Sequence, residues 1–107
     1  MPKRPAFEIV FDEVTLDHLD LIDSKYDSLI QKSIREQLSF EPLTETLNRK
    51  PLLHETIIGA TWELRCGPNN RFRIFYDIDS DEAIVNILAI ARKEGNKLFI
   101  GNTEFEL

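Results

Sequence analysis

The chain has 107 residues, enough for one small domain spanning 1–107 and too few for two cores. With 42 % hydrophobic and 30 % charged residues it has a globular balance, which excludes a disordered chain. The 13 basic and 19 acidic residues leave a net charge of −6, which taken whole argues against a nucleic-acid binder.

At the N-terminus, Lys3 and Arg4 are followed by Glu8, Asp12 and Glu13, which interrupt any signal-peptide core and predict a cytoplasmic protein. Residues Phe7 to Phe11 read as a short strand. Asp12 is placed as an N-cap for a short helix over 13–22, with Val14, Leu21 and Ile22 inward. A second helix, capped by Asp23 or Ser24, carries Tyr26, Leu29, Ile30, Ser33, Ile34, Gln37 and Leu38 as one stripe at three- and four-residue spacing. In a domain this small the stripe reads as core. Pro42 ends the helix, and residues 41–60 read as irregular, punctuated by Pro42, Pro51 and Gly59.

Three strands follow. In Thr61 to Cys66, Trp62, Leu64 and Cys66 share one face, and Glu63 and Arg65 the other. Cys66, the single cysteine, has no disulfide partner and reads as a small buried apolar residue. With only His18 and His54 beside it there is no metal-ligand spacing, and nothing implies a cofactor. Gly67-Pro68-Asn69-Asn70 is turn chemistry. In Arg71 to Ile78, Phe72, Ile74, Tyr76 and Ile78 take the core face and Arg71, Arg73, Phe75 and Asp77 the other. The third strand, Ala83 to Ala91, is apolar on both faces, as a central strand should be. It is the longest apolar stretch, is broken by Asn86, and falls well short of the ~20 residues of a membrane span.

Matching the apolar faces of the first two strands pairs Leu64 with Phe72, Trp62 with Ile74, Glu63 with Arg73 and Arg65 with Arg71. The opposite face then gathers Arg65, Arg71, Arg73 and Glu63. Like charges side by side call for an anion or a carboxylate between them. The alternative is a solvated outer face tied to Glu63 and Asp77. Beyond the third strand, Arg92, Lys93 and Lys97 surround a Gly95-Asn96 turn. Leu98 to Ile100 read as a final strand, and Thr103 to Phe105 as a loose tail. Eight of the 13 basic residues lie in 49–97, so the second half can carry a basic face on an acidic molecule.

The order of these elements resembles the RelE/ParE superfamily of bacterial type II toxins. The quoted series are Arg49-Lys50-Pro51-Leu52, Thr61-Trp62-Glu63-Leu64-Arg65, Phe72 to Asp77, Val85 to Ala91 and Arg92 to Leu98, and the resemblance covers most of the chain. It implies an α+β fold in which an N-terminal strand and two helices pack on an antiparallel sheet formed with a C-terminal three-stranded meander. It also implies the toxin of a type II toxin–antitoxin system, held inactive by a cognate antitoxin. Two activities follow from it: a RelE-like mRNA endonuclease working with the ribosome, or a ParE-like inhibitor of DNA gyrase. A relative that has lost catalysis and only binds its antitoxin is the third reading.

In the RelE-like case the 2′-hydroxyl of the RNA attacks the adjacent phosphate, a base takes its proton, cations stabilise the added charge and an acid helps the 5′-oxygen leave. The resemblance puts Arg73 on the phosphate and Lys93, with Arg92, at the basic position after the long strand. Arg65, Arg71, Arg49, Lys50 and Lys97 are expected on the RNA backbone. Phe99 falls where the family has a stacking tyrosine; it can stack on a base but has no hydroxyl. Thr61 and Glu63 stand at the outward positions of the Trp62 strand where RelE-like enzymes often carry lysines, and Lys50 just before the Pro-Leu pair where other members carry a glutamate. Glu63 and His54 are then the candidate bases. Glu63 has an alternative role as a salt-bridge partner of Arg73, and His54 as a loop histidine bonding backbone. Tyr76, on the core face, reads as core.

Overall fold

The computed structural model describes residues 6–54 and 56–105; Lys3 and Arg4 lie outside them. Among these residues seven strands form one sheet: β1 (Glu8–Phe11), β2 (Arg49–Pro51), β3 (Trp62–Cys66), β4 (Phe72–Asp79), β5 (Ile84–Glu94), β6 (Lys97–Ile100) and β7 (Thr103–Glu104). Helices α1 (Val14–Asp20) and α2 (Asp27–Leu38) come between β1 and β2 in the chain. The order β2-β3-β4-β5-β6-β7 is antiparallel, and β1 joins β5 in parallel. The expected α+β architecture, two helices on an antiparallel sheet, is the one observed. Neither helix is long and apolar enough to cross a membrane.

The second helix forms as its stripe predicts. Asp23 caps a 3₁₀ turn, Ser24–Tyr26, by accepting the Lys25 N–H at 3.1 Å. Ile30, Ile34 and Leu38 are then fully buried at i, i+4, i+8 against Leu64, Ile74, Val85 and Ile87. The first helix differs from expectation. Ile22 is inward as expected, but Val14 and Leu21 are exposed, and Thr15 and His18 take the buried side. Two polar side chains are stable there because both are bonded: the Thr15 hydroxyl donates to Asp12 O at 2.6 Å, and His18 Nδ1 accepts the Ile90 N–H at 3.2 Å.

That histidine closes a gap in the sheet. On the edge of β5 away from β4, β1 pairs up to Ile87 and β6 begins at Ala91. Among the described residues Leu88 to Ile90 have no strand partner on that edge, and the imidazole takes the place of one. Burial lowers the His18 pKa below 6.5, against a smaller opposing pull from Asp17 and Asp12. A depressed pKa means stability that is present above 6.5 and lost as the pH falls through the folded-state value. The urea midpoint is therefore expected to fall between about pH 7 and about pH 5. His18→Asn, which keeps a neutral acceptor at the same place, should flatten that dependence; an unchanged slope in the variant would contradict the assignment.

The β3–β4 register differs from the sequence expectation by two residues. Cys66 pairs with Phe72, Leu64 with Ile74, Trp62 with Tyr76, Glu63 with Phe75 and Arg65 with Arg73. The loop is Gly67 to Arg71, so Cys66 stays in the strand and Arg71 leaves it. Gly67 sets this: its φ is +83°, and a Cβ there would meet the Phe72 ring at 2.6 Å. An even shift preserves the faces, so the core prediction survives while the partners change. Two further strands appear where irregular chain was expected. β2 forms within 41–60 at the sheet edge, where Pro51 is tolerated, and β7 forms within the tail.

The sheet face away from the helices is covered in part. Leu52, Ile58, Leu98, Ile100 and Phe105 pack against buried Ala60, Phe75, Ala89 and Ala91. The Phe75 and Phe105 rings meet with centroids 5.5 Å apart. Segment 52–60 from one edge and Phe105 from the other thus bound a half-sheltered floor.

Candidate functional site

Alternation sends Leu64, Cys66, Phe72 and Ile74 to the helices, so Glu63, Arg65 and Arg73 point to the half-sheltered face. Arg65 and Arg73 stand directly opposite one another, a pairing that repels. Glu63 offsets it. Its Oε1 accepts Arg65 Nε–H at 3.1 Å and lies 3.0 Å from Nη2, while its Oε2 lies 3.9 Å from Arg73 Nη1. Glu63 is 3 % exposed. The pairing is unsaturated, because Glu63 Oε2 and Arg73 Nε are both buried without a hydrogen bond among the described residues. Asp77 takes no part, since its carboxylate accepts the Thr61 hydroxyl at 2.7 Å.

Two lysines extend the patch. Lys50 is exposed on β2, opposite Glu63. Lys93 follows Ala89 and Ala91 on their face of β5, on the diagonal from Arg73 at about 7–8 Å between backbones. At the end of the sheet, Pro68, Asn69, Arg71, Lys93 and Gly95 line a cleft of about 250 Å³. The Lys93 N–H donates to Arg71 O at 2.7 Å. Arg71 is displaced from the expected cluster with Arg65: outside the strand, its guanidinium lies 5.6 Å from the Tyr26 ring and 5.9 Å from the Phe72 ring.

No family model matches the chain, and no curated protein does. Among solved structures, a chain of the RelBE2 toxin–antitoxin complex from Mycobacterium tuberculosis matches with a TM-score of 0.68 and 24 % identity, covering 87 % of this chain and 98 % of that one. This chain has a RelE-like fold.

On the RelE-like sheet the remaining expected residues separate. Arg92 was expected to act beside Lys93 as part of a turn. β5 instead continues to Glu94, and neighbours on a strand point to opposite faces. Arg92 Nε–H donates to Glu94 Oε1 at 3.1 Å, its Nη1 donates to Gly101 O at 2.6 Å, and its guanidinium lies 5.3 Å from the Phe99 ring. Phe99 and Arg92 are register partners, so both stand away from Arg73. Lys97 is exposed opposite Glu94.

Arg49 is also removed from the face. It is 7 % exposed, and its Nη1 donates to Gln37 O and Glu41 O at the end of α2. Gln37 lies in the last turn of α2, where a helix leaves its carbonyls without an intrahelical partner. Arg49→Met is expected to cost about 1.5–3 kcal/mol of stability, the scale of a hydrogen bond from a charged group, while leaving phosphate affinity unchanged. Calorimetric melting beside a phosphate titration checks this; lost affinity in a stable variant would contradict it.

His54 is exposed in the 52–60 segment. Tyr76 is core, as expected: fully buried, its hydroxyl donates to Pro42 O at 2.9 Å, and burial pushes its pKa up. Cys66 is likewise buried, its thiol pushed up to about 11 by burial although Ser33 hydrogen-bonds to it. Such a thiol is not a nucleophile at neutral pH. The residue that sequence reading missed is His18. Its spacing from Thr15 and Ile22, i, i+3, i+7, was the available signal.

Proposed function

We propose that this chain is the toxin of a type II toxin–antitoxin pair and that it cleaves mRNA in the ribosomal decoding site, without a metal ion. The observation that carries the reading is the cluster of Arg65, Glu63 and Arg73 on one sheet face with Lys93 on its diagonal. It combines an acceptor for a proton with cations for a phosphate, which is what transphosphorylation of RNA needs.

Arg73 and Arg65 hold the non-bridging phosphate oxygens. The 2′-oxygen bonds to phosphorus and the P–O5′ bond breaks, leaving a 2′,3′-cyclic phosphate and a 5′-hydroxyl. The 2′-hydroxyl proton goes to the Glu63 carboxylate, and the Lys93 ammonium protonates the leaving 5′-oxygen. Arg71 and Lys50 meet neighbouring phosphates. Glu63 is favoured over His54 as the base because it touches the phosphate-holding arginine, whereas His54 is on an exposed loop. Arg92, Phe99 and Arg49 take no part in the step.

The net charge of −6 does not oppose this. Asp12, Asp17, Asp20, Asp27 and Glu36 lie on or beside the two helices, across the sheet from the arginines. Both surfaces are then distinct, and an antitoxin that covers the basic face silences the toxin. RelBE2, whose chain has the same fold, is itself a toxin–antitoxin complex.

The test is to induce the chain alone in a bacterial cell and follow methionine and thymidine incorporation within minutes. Early collapse of methionine incorporation is the expected result. Earlier loss of thymidine incorporation would move the target to DNA gyrase. Because Glu63 already neutralises part of the cluster, a relative that only binds its antitoxin is the second reading; normal growth with soluble protein would favour it.

A further inference from the structure

Glu63 occupies the position that a phosphate would need. It lies between two facing guanidinium groups, takes both of its Arg65 contacts through Oε1, and approaches Arg73 only to 3.9 Å. A structural carboxylate bridging two arginines usually saturates its lone pairs with charge-assisted hydrogen bonds. Among the described residues Oε2 accepts none and Arg73 Nε donates to none, although both atoms are buried. A buried polar atom left without a partner is costly, so each gains from any ligand that supplies one. Two guanidinium groups and one carboxylate leave the cluster with one positive charge, and exposed Lys50 stands beside it on β2.

We propose that Glu63 is a resident counter-anion that a phosphate group displaces, so that the binding of an RNA phosphodiester is what frees the carboxylate to act as a base. This rests on the RNA-cleaving reading and names how its site is switched on. At rest the carboxylate is engaged by the two arginines rather than by a substrate hydroxyl. The arriving phosphate presents its non-bridging oxygens to Arg73 Nε and Nη and to Arg65. Those two arginines exchange one anion for another, the like-charge pair Arg65–Arg73 stays compensated throughout, and the released carboxylate lies next to the bound phosphodiester. A chain without a phosphate on it keeps its base tied, and free water meets no activated carboxylate. Arg65, with its side chain 31 % exposed, offers the way in; Arg73, at 18 %, is reached second.

The probes are inorganic phosphate and a short RNA made uncleavable by a 2′-deoxy substitution, each titrated into the full chain. Glu63→Gln is expected to bind inorganic phosphate about tenfold more tightly or better, the scale of one charge-assisted hydrogen bond restored to the ligand. The gain should vanish in the double variant Glu63→Gln, Arg73→Ala. In the wild type, nuclear magnetic resonance should show the Arg73 Nε–H and the Glu63 carboxylate carbon moving together as the RNA binds. The inorganic ion should move the same signals more weakly, which separates the chain phosphate from free phosphate as the intended ligand.

No gain in Glu63→Gln, or a gain that survives loss of Arg73, overturns the exchange. Where the variant does not fold, wild-type signals that stay fixed while the RNA is bound overturn it as well. Exchange without any RNA cleavage on ribosomes would leave the counter-anion in place and sink the nuclease reading. Cleavage without exchange would do the reverse.

Discussion

Arg73→Ala is expected to lower mRNA cleavage by about 10²–10³-fold, the loss seen when one preorganised donor to a developing oxyanion is removed. The size follows from position. Arg73 projects from the middle of the sheet, is held by β3 on one side and β5 on the other, and is only 18 % exposed at its side chain. A donor fixed before the reaction begins costs no reorganisation during it. Folding should be little affected, because Glu63 keeps Arg65 and the Phe72, Ile74 and Tyr76 side of β4 is untouched. Arg73→Lys should recover only part of the rate, since an ammonium cannot present the planar fork of a guanidinium. Lys93→Ala should slow the same step without changing RNA affinity as much, because the proposed mechanism has the ammonium act on the leaving oxygen. Full activity in folded Arg73→Ala would remove Arg73 from the site.

Ile34→Ala carries the largest expected loss of stability, about 2–5 kcal/mol. Ile34 is fully buried between Ile30 and Leu38 on α2, in the cluster that joins the helix to β3, β4 and β5. Truncation removes transfer energy and leaves a cavity that a sheet cannot collapse into easily. A domain of this size has only about 5–15 kcal/mol in total, so the variant should lose much of its cooperative transition at 37 °C. Ile34→Val, which keeps most of the volume, should cost about 0.5–1.5 kcal/mol. Urea unfolding followed by circular dichroism separates the two; near-equal midpoints would mean that α2 does not carry the core.

Much of this was legible in the chain because it follows from spacing alone. The three- and four-residue stripe from Tyr26 to Leu38 gave α2, and the two-residue alternation in Trp62 to Cys66 and Phe72 to Ile78 gave two strand faces. The arginine cluster follows from the second of these, since an even register error leaves faces unchanged. What stayed hidden depends on distance in space. The pairing of Arg65 with Arg73 was missed because the loop that starts at Gly67 runs through a 3₁₀ turn, Pro68–Asn70, and on to Arg71, which moves the register by two. The separation of Arg92 from Lys93 was missed because Arg-Lys-Glu reads as a turn, whereas pairing with β6 extends β5 through it. Arg49 looked like one more surface cation; the fold gives it interior partners at Gln37, twelve residues upstream in the last turn of α2, and at Glu41 just beyond that helix. His18 was passed over because a strand gap is invisible before the strands are assembled.

The decisive measurement is cleavage of a defined mRNA by the purified chain, with and without ribosomes stalled at a known codon, with the fragment ends identified chemically. The expected result is ribosome-dependent cutting within the codon in the decoding site, fragments ending in a 2′,3′-cyclic phosphate and a 5′-hydroxyl, and loss of cutting in Arg73→Ala. Intact mRNA under both conditions, or cutting that Arg73→Ala leaves unchanged, would contradict it.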